Sequence, residues 1–280
     1  MIAEVALKAE AELGEGPTWD ITTGTLLWVD VLRKEVHRFH PGRGTDDSMV
    51  MGQHVGAAKP RTRGGLVLNL RDGIALWDRD DSKHWLVYWA RDGVRGNDAA
   101  VDPAGRLWAG TMRYDEAQGG GWLARVEADG AAKVVLDDVT VSNGIGWSPD
   151  SSLMYYVDTP TRRIDVFDYD RESGDAVNRR PLCTVDGDGM PDGLCVDADG
   201  CVWVALWDGA AVRRYTPDGR LDRELALPVS RPTACCFGGD GFTDLYVTSA
   251  RTGLPEEAHA GSVFVFPNVG QGVPTPLFTG

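Results

Sequence analysis

The chain has 280 residues, and its 28 Lys and Arg stand against 42 Asp and Glu, which gives a formal net charge of −14. This acidic balance excludes the basic surface that contacts with nucleic-acid phosphates require. Asp, Gly or Arg interrupts every apolar stretch within a few residues, so we expect no membrane-spanning segment and no membrane partner.

The first dozen residues are the best helix candidate in the chain, because Gly14 and Pro17 follow them as helix-ending residues. They lack a basic start followed by an apolar core, so they do not predict a signal peptide. The five cysteines are odd in number and include no C-x-x-C pair, which predicts buried thiols rather than disulfides or a zinc site. We therefore expect a cytoplasmic protein.

Beyond this segment the chain predicts short β-strands. Its 35 Gly and 15 Pro place a turn signal about every six residues, close to the length of one strand. The runs between these signals are rich in Val, Leu, Trp and Tyr, as in TLLWVD (25–30), RLWAG (106–110), LMYYVD (153–158) and CVWVA (201–205). Long helical periodicity is absent, so the fold is predicted to be all-β.

The strands recur as a repeated unit, in which a Gly-led apolar strand, a turn, a Trp- or Tyr-bearing strand and a basic strand follow one another. Copies begin near residues 16, 65, 99, 144, 193 and 234, a spacing of about 35–50 residues that is typical of four-stranded propeller blades. Six copies predict a six-bladed β-propeller that forms one domain over residues 1–280. A β-sandwich with strands that are similar by chance is the alternative. Since a closed propeller needs no partner to cover its edges, we expect a monomer.

A polar residue precedes the Gly that opens the first strand in three of these copies: Glu15, Asn143 and Asp192. The first strand of each blade lines the central channel, so we expect these side chains to converge at one mouth. Two carboxylates and an amide are hard oxygen ligands for Ca²⁺, Mg²⁺ or Mn²⁺, and an open three-ligand site also accepts Zn²⁺. The alternative is that each residue only forms a turn, because Asp and Asn before Gly are common there.

Several longer stretches carry a resemblance to a known family, and they include GEGPTWD (14–20), RGNDAAVDPAGRLWAGTM (95–112), SNGIGWSPD (142–150), PDGLCVDADG (191–200) and TACCFGG (233–239). In these motifs and their order the chain resembles the SMP-30/gluconolactonase/LRE-like family. The resemblance implies a six-bladed propeller with one functional divalent cation, Ca²⁺ first among the candidates, that hydrolyses sugar lactones.

The resemblance also assigns roles to individual residues. It implies that Glu15, Asn143 and Asp192 hold the metal, which are the same three residues that the repeat selects. It implies that Arg95 and Asn97 contact the substrate, a small-molecule sugar lactone. A further acidic contact after the AGTM segment falls by spacing on Asp115, where the family pattern has Glu.

The implied chemistry is addition of water to a lactone carbonyl that the cation polarises. Asp192 is the candidate general base, and Asp98 is the alternative, because bound metal would lower the basicity of Asp192. A metal-dependent phosphotriesterase or arylesterase is a rival function, since a similar cation stabilises a phosphoryl oxygen equally well. A calcium-binding or protein-binding propeller without turnover is the other rival.

Overall fold

The computed structural model describes residues 2–280, and these form 24 β-strands in six four-stranded antiparallel sheets. Two 3-10 turns, Thr159–Thr161 and Asp240–Phe242, are the helical elements of this part of the chain. The strands are β1 (Glu4–Leu7), β2 (Gly14–Asp20), β3 (Thr25–Asp30), β4 (Glu35–His40), β5 (Thr45–Val50), β6 (Val55–Pro60), β7 (Leu66–Leu70), β8 (Gly73–Trp77), β9 (Lys83–Tyr88), β10 (Val94–Val101), β11 (Leu107–Arg113), β12 (Gly121–Val126), β13 (Ala132–Val139), β14 (Ser142–Trp147), β15 (Leu153–Asp158), β16 (Arg163–Tyr169), β17 (Ala176–Thr184), β18 (Met190–Val196), β19 (Val202–Trp207), β20 (Ala211–Tyr215), β21 (Leu221–Ala226), β22 (Pro232–Gly238), β23 (Asp244–Ser249) and β24 (Val263–Phe266).

The six sheets are the blades of a β-propeller, which confirms the predicted fold class. Five blades are continuous in sequence, from β2–β5 to β18–β21. The sixth has the order β1-β24-β23-β22, so the N-terminal strand adds to the outer edge of the last blade. In this pairing Val5 lies opposite Phe264 and Leu7 opposite Val263. Pairing of the first strand with the last blade ties the two ends of the ring together.

Two sequence predictions about elements are wrong. The first dozen residues hold strand β1 instead of a helix; Met1 lies outside the described residues. Helix-favouring residues such as Ala and Glu adopt a strand here because pairing with β24 outweighs local propensity. The repeat copy placed near residue 65 falls on β7 and β8, whereas the inner strand of the second blade is β6. This inner strand, VGAAKP, lacks the acidic or amide residue before Gly that marks other copies.

The blades pack through apolar side chains of their middle strands. Trp28, Trp108 and Trp203 occupy the second strand of three blades and are fully buried. In two of these blades the indole N–H donates to the Asp of the preceding hairpin turn, over 3.0 Å to Asp102 and 2.8 Å to Asp197. The Trp-bearing strands of the predicted repeat are thus the blade cores, and their Asp-containing turns are structural.

Within residues 2–280 no helix has the length and apolar character needed to cross a membrane. The five cysteines are all free. Cys201, Cys235 and Cys236 are buried, as the sequence predicts, whereas Cys183 and Cys195 are only partly buried.

Candidate active site at the channel mouth

The predicted metal ligands lie at the first residues of three inner strands, at one mouth of the channel. Glu15 is the second residue of β2, Asn143 the second of β14 and Asp192 the third of β18. All three are nearly buried, with exposures of 7%, 4% and 4%. They lie inside strands, so the alternative of a turn-only role does not describe them.

An irregular strand pairing aims these side chains. The register between inner and second strand shifts between Glu15 and Thr18, and again between Ser142 and Ile145. The other inner strands shift at the equivalent place, including Pro191 to Leu194 around Asp192. A bulge leaves backbone unpaired and redirects a side chain, and bulges are common beside active sites. Here they fall where the candidate ligands are.

A chain of hydrogen bonds joins three blades across the mouth. Arg95 Nη1 donates to Asn97 Oδ1 over 2.6 Å, and Asn97 Nδ2 donates to Asn143 Oδ1 over 2.8 Å. Asn143 Nδ2 then donates to Thr159 Oγ1 over 2.7 Å, and this hydroxyl donates to the carbonyl of Pro191 over 2.8 Å. The chain fixes which way both amides point, and a second lone pair of Asn143 Oδ1 remains for a ligand.

The carboxylates at the mouth form a cluster of buried negative charge. Burial, with repulsion from Asp98, raises the pKa of Glu15 to about 8. Burial and repulsion from Glu15 and Asp98 raise the pKa of Asp192 well above its ordinary value. Burial also raises the pKa of Asp98, although Lys59 opposes this. The charges of Lys59 and Arg95 only partly offset this rise, so the ionised form of the cluster needs further positive charge.

One atom of this cluster has no hydrogen-bond partner. Asp192 Oδ1 is buried, and no donor in residues 2–280 reaches it. Glu15 Oε2 accepts only from the adjacent Gly16 amide, over 3.1 Å. An unpaired buried carboxylate oxygen is costly unless a ligand satisfies it. This donor set fits a divalent cation.

His, Cys, Asp and Glu side chains alone do not complete such a site. Across residues 2–280 no three of them are grouped closely enough to hold a metal. A metal at this mouth therefore depends on the amide of Asn143 together with Glu15 and Asp192. That combination is the predicted one, and it stays a prediction.

The predicted substrate contacts divide into two groups. Arg95 and Asn97 are buried at the mouth and bonded to each other. Asp115 is not brought to them: its side chain is 57% exposed, and both of its oxygens accept from Arg113 over 2.7 Å. This ion pair lowers the pKa of Asp115 to about 2. Its role as a substrate contact remains a prediction.

Sequence reasoning missed three residues around this site. Two of them, Tyr114 and Glu116, lie on either side of Asp115. Burial lowers the pKa of Arg95, and the charges of Tyr114 and Glu116 act in the opposite direction. Lys59 on β6 is buried, donates to Thr18 Oγ1 over 2.7 Å, and lowers the pKa of both Glu15 and Asp98. A correct placement of the second blade would have found Lys59, because it lies on that inner strand.

A cavity of about 260 Å³ continues down the channel, away from this mouth. Lys59 and Asp98 lie at its wall with the thiols of Cys195, Cys235 and Cys236. Through Asp98, the carboxylate cluster therefore separates the mouth from this inner cavity.

Comparison with known proteins agrees with the fold and the motifs. The model of the SMP-30/Gluconolactonase/LRE-like region matches residues 13–251. The chain is 35% identical to regucalcin of Danio rerio over 289 residues, which cover 99% of this chain and 98% of that protein. It is 36% identical to the 6-deoxy-6-sulfogluconolactonase of Pseudomonas putida over 278 residues, which cover 96% and 95%.

A solved structure shares the same architecture. The crystal structure of a calcium-binding protein, regucalcin, from Agrobacterium tumefaciens superposes with a TM-score of 0.94 at 29% sequence identity. The match covers 99% of this chain and 97% of that one.

Proposed function

The chain belongs to the SMP-30/gluconolactonase/LRE-like family, and we propose that it is a metal-dependent sugar lactonase that hydrolyses aldonolactones to aldonic acids. The observation that carries the proposal is the unpaired, buried Oδ1 of Asp192 beside the ordered Arg95–Asn97–Asn143 chain. One part of this site suits a cation, and the other suits the hydroxyls of a sugar.

Relatives support a lactone substrate and a divalent metal. The name of the Pseudomonas putida relative describes a lactonase that acts on a gluconolactone derivative. The Agrobacterium tumefaciens structure is titled a calcium-binding protein. Oxygen ligands at this mouth favour Ca²⁺ or Mg²⁺, and we propose Ca²⁺ before Mg²⁺, Mn²⁺ or Zn²⁺.

Glu15, Asn143 and Asp192 would hold the cation, which when bound polarises the lactone carbonyl and stabilises negative charge on its oxygen. Arg95 and Asn97 hold sugar hydroxyls, so that the carbonyl carbon faces the water that attacks it. Their mutual hydrogen bond, 2.6 Å long, already fixes both side chains before substrate arrives.

The Asp192 carboxylate accepts the proton of the attacking water, because it is buried at the mouth and its Oδ1 is bonded to no protein donor. The water oxygen forms a bond to the carbonyl carbon, and the bond between that carbon and the ring oxygen breaks. The proton held on Asp192 passes to the departing ring oxygen, which becomes a hydroxyl. One water is consumed, and the acid product releases one proton at neutral pH. Asp98 is a weaker candidate for this base, since its Oδ1 already accepts from the Ala99 amide over 2.7 Å.

The proposal is tested by hydrolysis of D-glucono-1,5-lactone, followed through proton release. Wild-type protein is assayed after chelation and after Ca²⁺, Mg²⁺, Mn²⁺ or Zn²⁺ is restored, beside Asp192→Asn and the control Asp218→Asn. Asp218 lies in the exposed turn between β20 and β21, where it makes an ion pair with Arg220, away from the inner strands. We expect metal-restored turnover that Asp192→Asn abolishes and Asp218→Asn retains.

Two results would contradict the lactonase. Hydrolysis at the spontaneous rate for a panel of aldonolactones, together with a metal-dependent rise in Tm, would favour a calcium-binding propeller without turnover. Hydrolysis of aryl esters or phosphotriesters, with none of lactones, would favour the esterase rival.

The protein is also proposed to be a cytoplasmic monomer that forms one propeller domain. The five free cysteines support a reducing compartment, since Cys195 and Cys235 are neighbours at 3.7 Å between sulfurs and remain unbonded.

A further inference from the structure

A second pocket opens at the same mouth and is lined by residues of the first three blades. Its volume is about 230 Å³. The pocket, called here the rim pocket, is lined by Lys34, Gly52, Gln53, His54, Arg71 and Tyr114. No step of the proposed lactone hydrolysis uses these residues.

Strand pairing places the rim pocket beside the catalytic mouth. His54 immediately precedes inner strand β6, and the Arg71 amide donates to its carbonyl over 2.9 Å. Tyr114 follows β11, and its amide donates to the Gly93 carbonyl over 2.9 Å, just before β10 begins. Lys34 lies in the turn from β3 to β4, at the strand end where Asp30 pairs with Gly14. All four residues therefore lie at strand ends on the same face of the propeller as Glu15 and Arg95.

The rim pocket has an uncompensated positive charge. The Arg71 guanidinium makes a two-pronged ion pair with Asp72, over 2.7 and 2.9 Å, which neutralises it. Lys34 is half-buried as a residue, and its ammonium group makes no ion pair and no hydrogen bond with any side chain or carbonyl of residues 2–280. The chain has a net charge of −14, so carboxylates outnumber basic side chains. A half-buried lysine that has no carboxylate partner is unusual in such a chain.

Neutral donors complete the lining. His54 Nδ1 and the Tyr114 hydroxyl are 2.6 Å apart, a hydrogen bond that bridges the second and third blades. Burial, together with the charges of Arg95, Lys34 and Arg71, lowers the pKa of His54, so its ring is neutral at pH 7. Burial raises the pKa of Tyr114, and the charges of Arg95 and Arg71 act against this rise. The charge of Arg95 therefore extends to the rim pocket.

We propose that the rim pocket is a subsite for a tetrahedral anion, a phosphate or a sulfonate, on the terminal carbon of the sugar lactone. Lys34 supplies the charge, and Gln53, Arg71 and Tyr114 supply polar groups around it. This inference rests on the proposed lactonase function and names its substrate class. In an aldono-1,5-lactone the exocyclic carbon C6 is attached to C5, which the ring oxygen separates from the carbonyl carbon. The charge of Arg95 acts on His54 and Tyr114 of the rim pocket, so a lactone held by Arg95 lies within reach of this pocket through C6.

The kinetic test compares D-glucono-1,5-lactone with its 6-phospho and its 6-deoxy-6-sulfo forms, on metal-loaded protein. We expect kcat/KM to be at least about tenfold higher for an anionic lactone than for the neutral one. Lys34→Ala should lower this ratio at least about tenfold, and Lys34→Arg should restore part of it. Lys8→Ala, which removes an exposed lysine that does not line the rim pocket, should leave the ratio unchanged. The two anionic substrates distinguish phosphate from sulfonate.

A binding test separates this inference from the lactonase itself. Calorimetry on chelated protein measures 6-phospho-D-gluconate against D-gluconate, for wild type and Lys34→Ala. Lys34-dependent binding of the phosphorylated acid supports the subsite even if no lactone is hydrolysed, an outcome that would refute only the lactonase. Asp192-dependent lactone hydrolysis without anionic preference, and with no effect of Lys34→Ala on either assay, would overturn the subsite and leave the lactonase standing.

Discussion

Replacement of Glu15 by Gln is expected to stabilise the metal-free protein at alkaline pH while it removes the metal site. The carboxyl group is 7% exposed, and burial with repulsion from Asp98 raises its pKa from 4.5 to about 8. Between these two values the folded protein holds a proton that the unfolded chain has released. Stability of the metal-free wild type therefore falls as the pH rises from about 4.5 to about 8.

The size of this effect follows from the same pKa values. Each unit of pKa corresponds to about 1.4 kcal/mol, so the full penalty for ionised Glu15 is at most about 5 kcal/mol. Integrated from pH 6 to pH 9, the wild type should lose up to about 3 kcal/mol of stability through Glu15. Gln cannot ionise, so the variant should not lose this part. The remaining carboxylates, Asp98 and Asp192, stay in both proteins.

The assay is unfolding by urea at pH 6 and pH 9, in chelator and then in saturating Ca²⁺. We expect Glu15→Gln to be more stable than wild type at pH 9 without metal. Ca²⁺ should raise the stability of wild type more than that of the variant, because the metal binds the ionised carboxylate. Asp218→Asn is the control, since that exposed carboxylate has a lowered pKa and is ionised throughout this pH range.

Equal losses of stability between pH 6 and pH 9 in wild type and Glu15→Gln would refute the reasoning. Such a result would mean that Glu15 is solvated, or that Lys59 neutralises it fully. A metal response that survives in Glu15→Gln would remove Glu15 from the site.

Three further changes test the site and its frame. Asp192→Asn should lower kcat at least about 100-fold, measured by proton release, and should abolish the Ca²⁺-dependent rise in Tm. Asn97→Ala leaves Asn143 Oδ1 and the Ser142 carbonyl without their donor, so calorimetry should show a loss of about 1–3 kcal/mol, together with a raised KM. Asp102→Ala leaves the guanidinium of its buried partner unpaired, and urea unfolding should show a loss of about 3–5 kcal/mol.

The sequence was sufficient for the architecture because a propeller repeats its signal. The Trp-bearing strands and the Asp-containing turns recur in several blades, and each copy supports the others. The second blade failed this test because its second strand β7, LVLNL, carries no Trp and the turn before it, residues 61–65, carries no Asp. The first strand was mispredicted for a different reason. Glu4–Leu7 is a strand only because it pairs with the edge of β24, where Leu7 lies opposite Val263, 256 residues later in the chain.

The convergence of the three candidate ligands at one mouth was predictable from the sequence, and the residues around them were less so. Glu15, Asn143 and Asp192 share a register in the repeat, so alignment alone brings them to one mouth. Lys59 lies on the inner strand that the predicted repeat misplaced, and Tyr114 lies just beyond the end of β11, so alignment of the predicted copies found neither. The hydrogen-bond chain from Arg95 to Thr159 likewise exists only after three blades are packed together.

The glycines next to the predicted ligands show where the local interpretation was incomplete. Gly144 and Gly193 lie inside inner strands rather than in turns. A Cβ atom on Gly193 would be 2.3 Å from the Cβ of Ala234, and one on Gly144 would be 2.7 Å from Leu194 Cγ. Glycine is therefore required here because neighbouring inner strands approach closely around the channel. The same close approach brings Asn143 and Asp192 together, so a candidate ligand followed by glycine is a consequence of the narrow propeller channel.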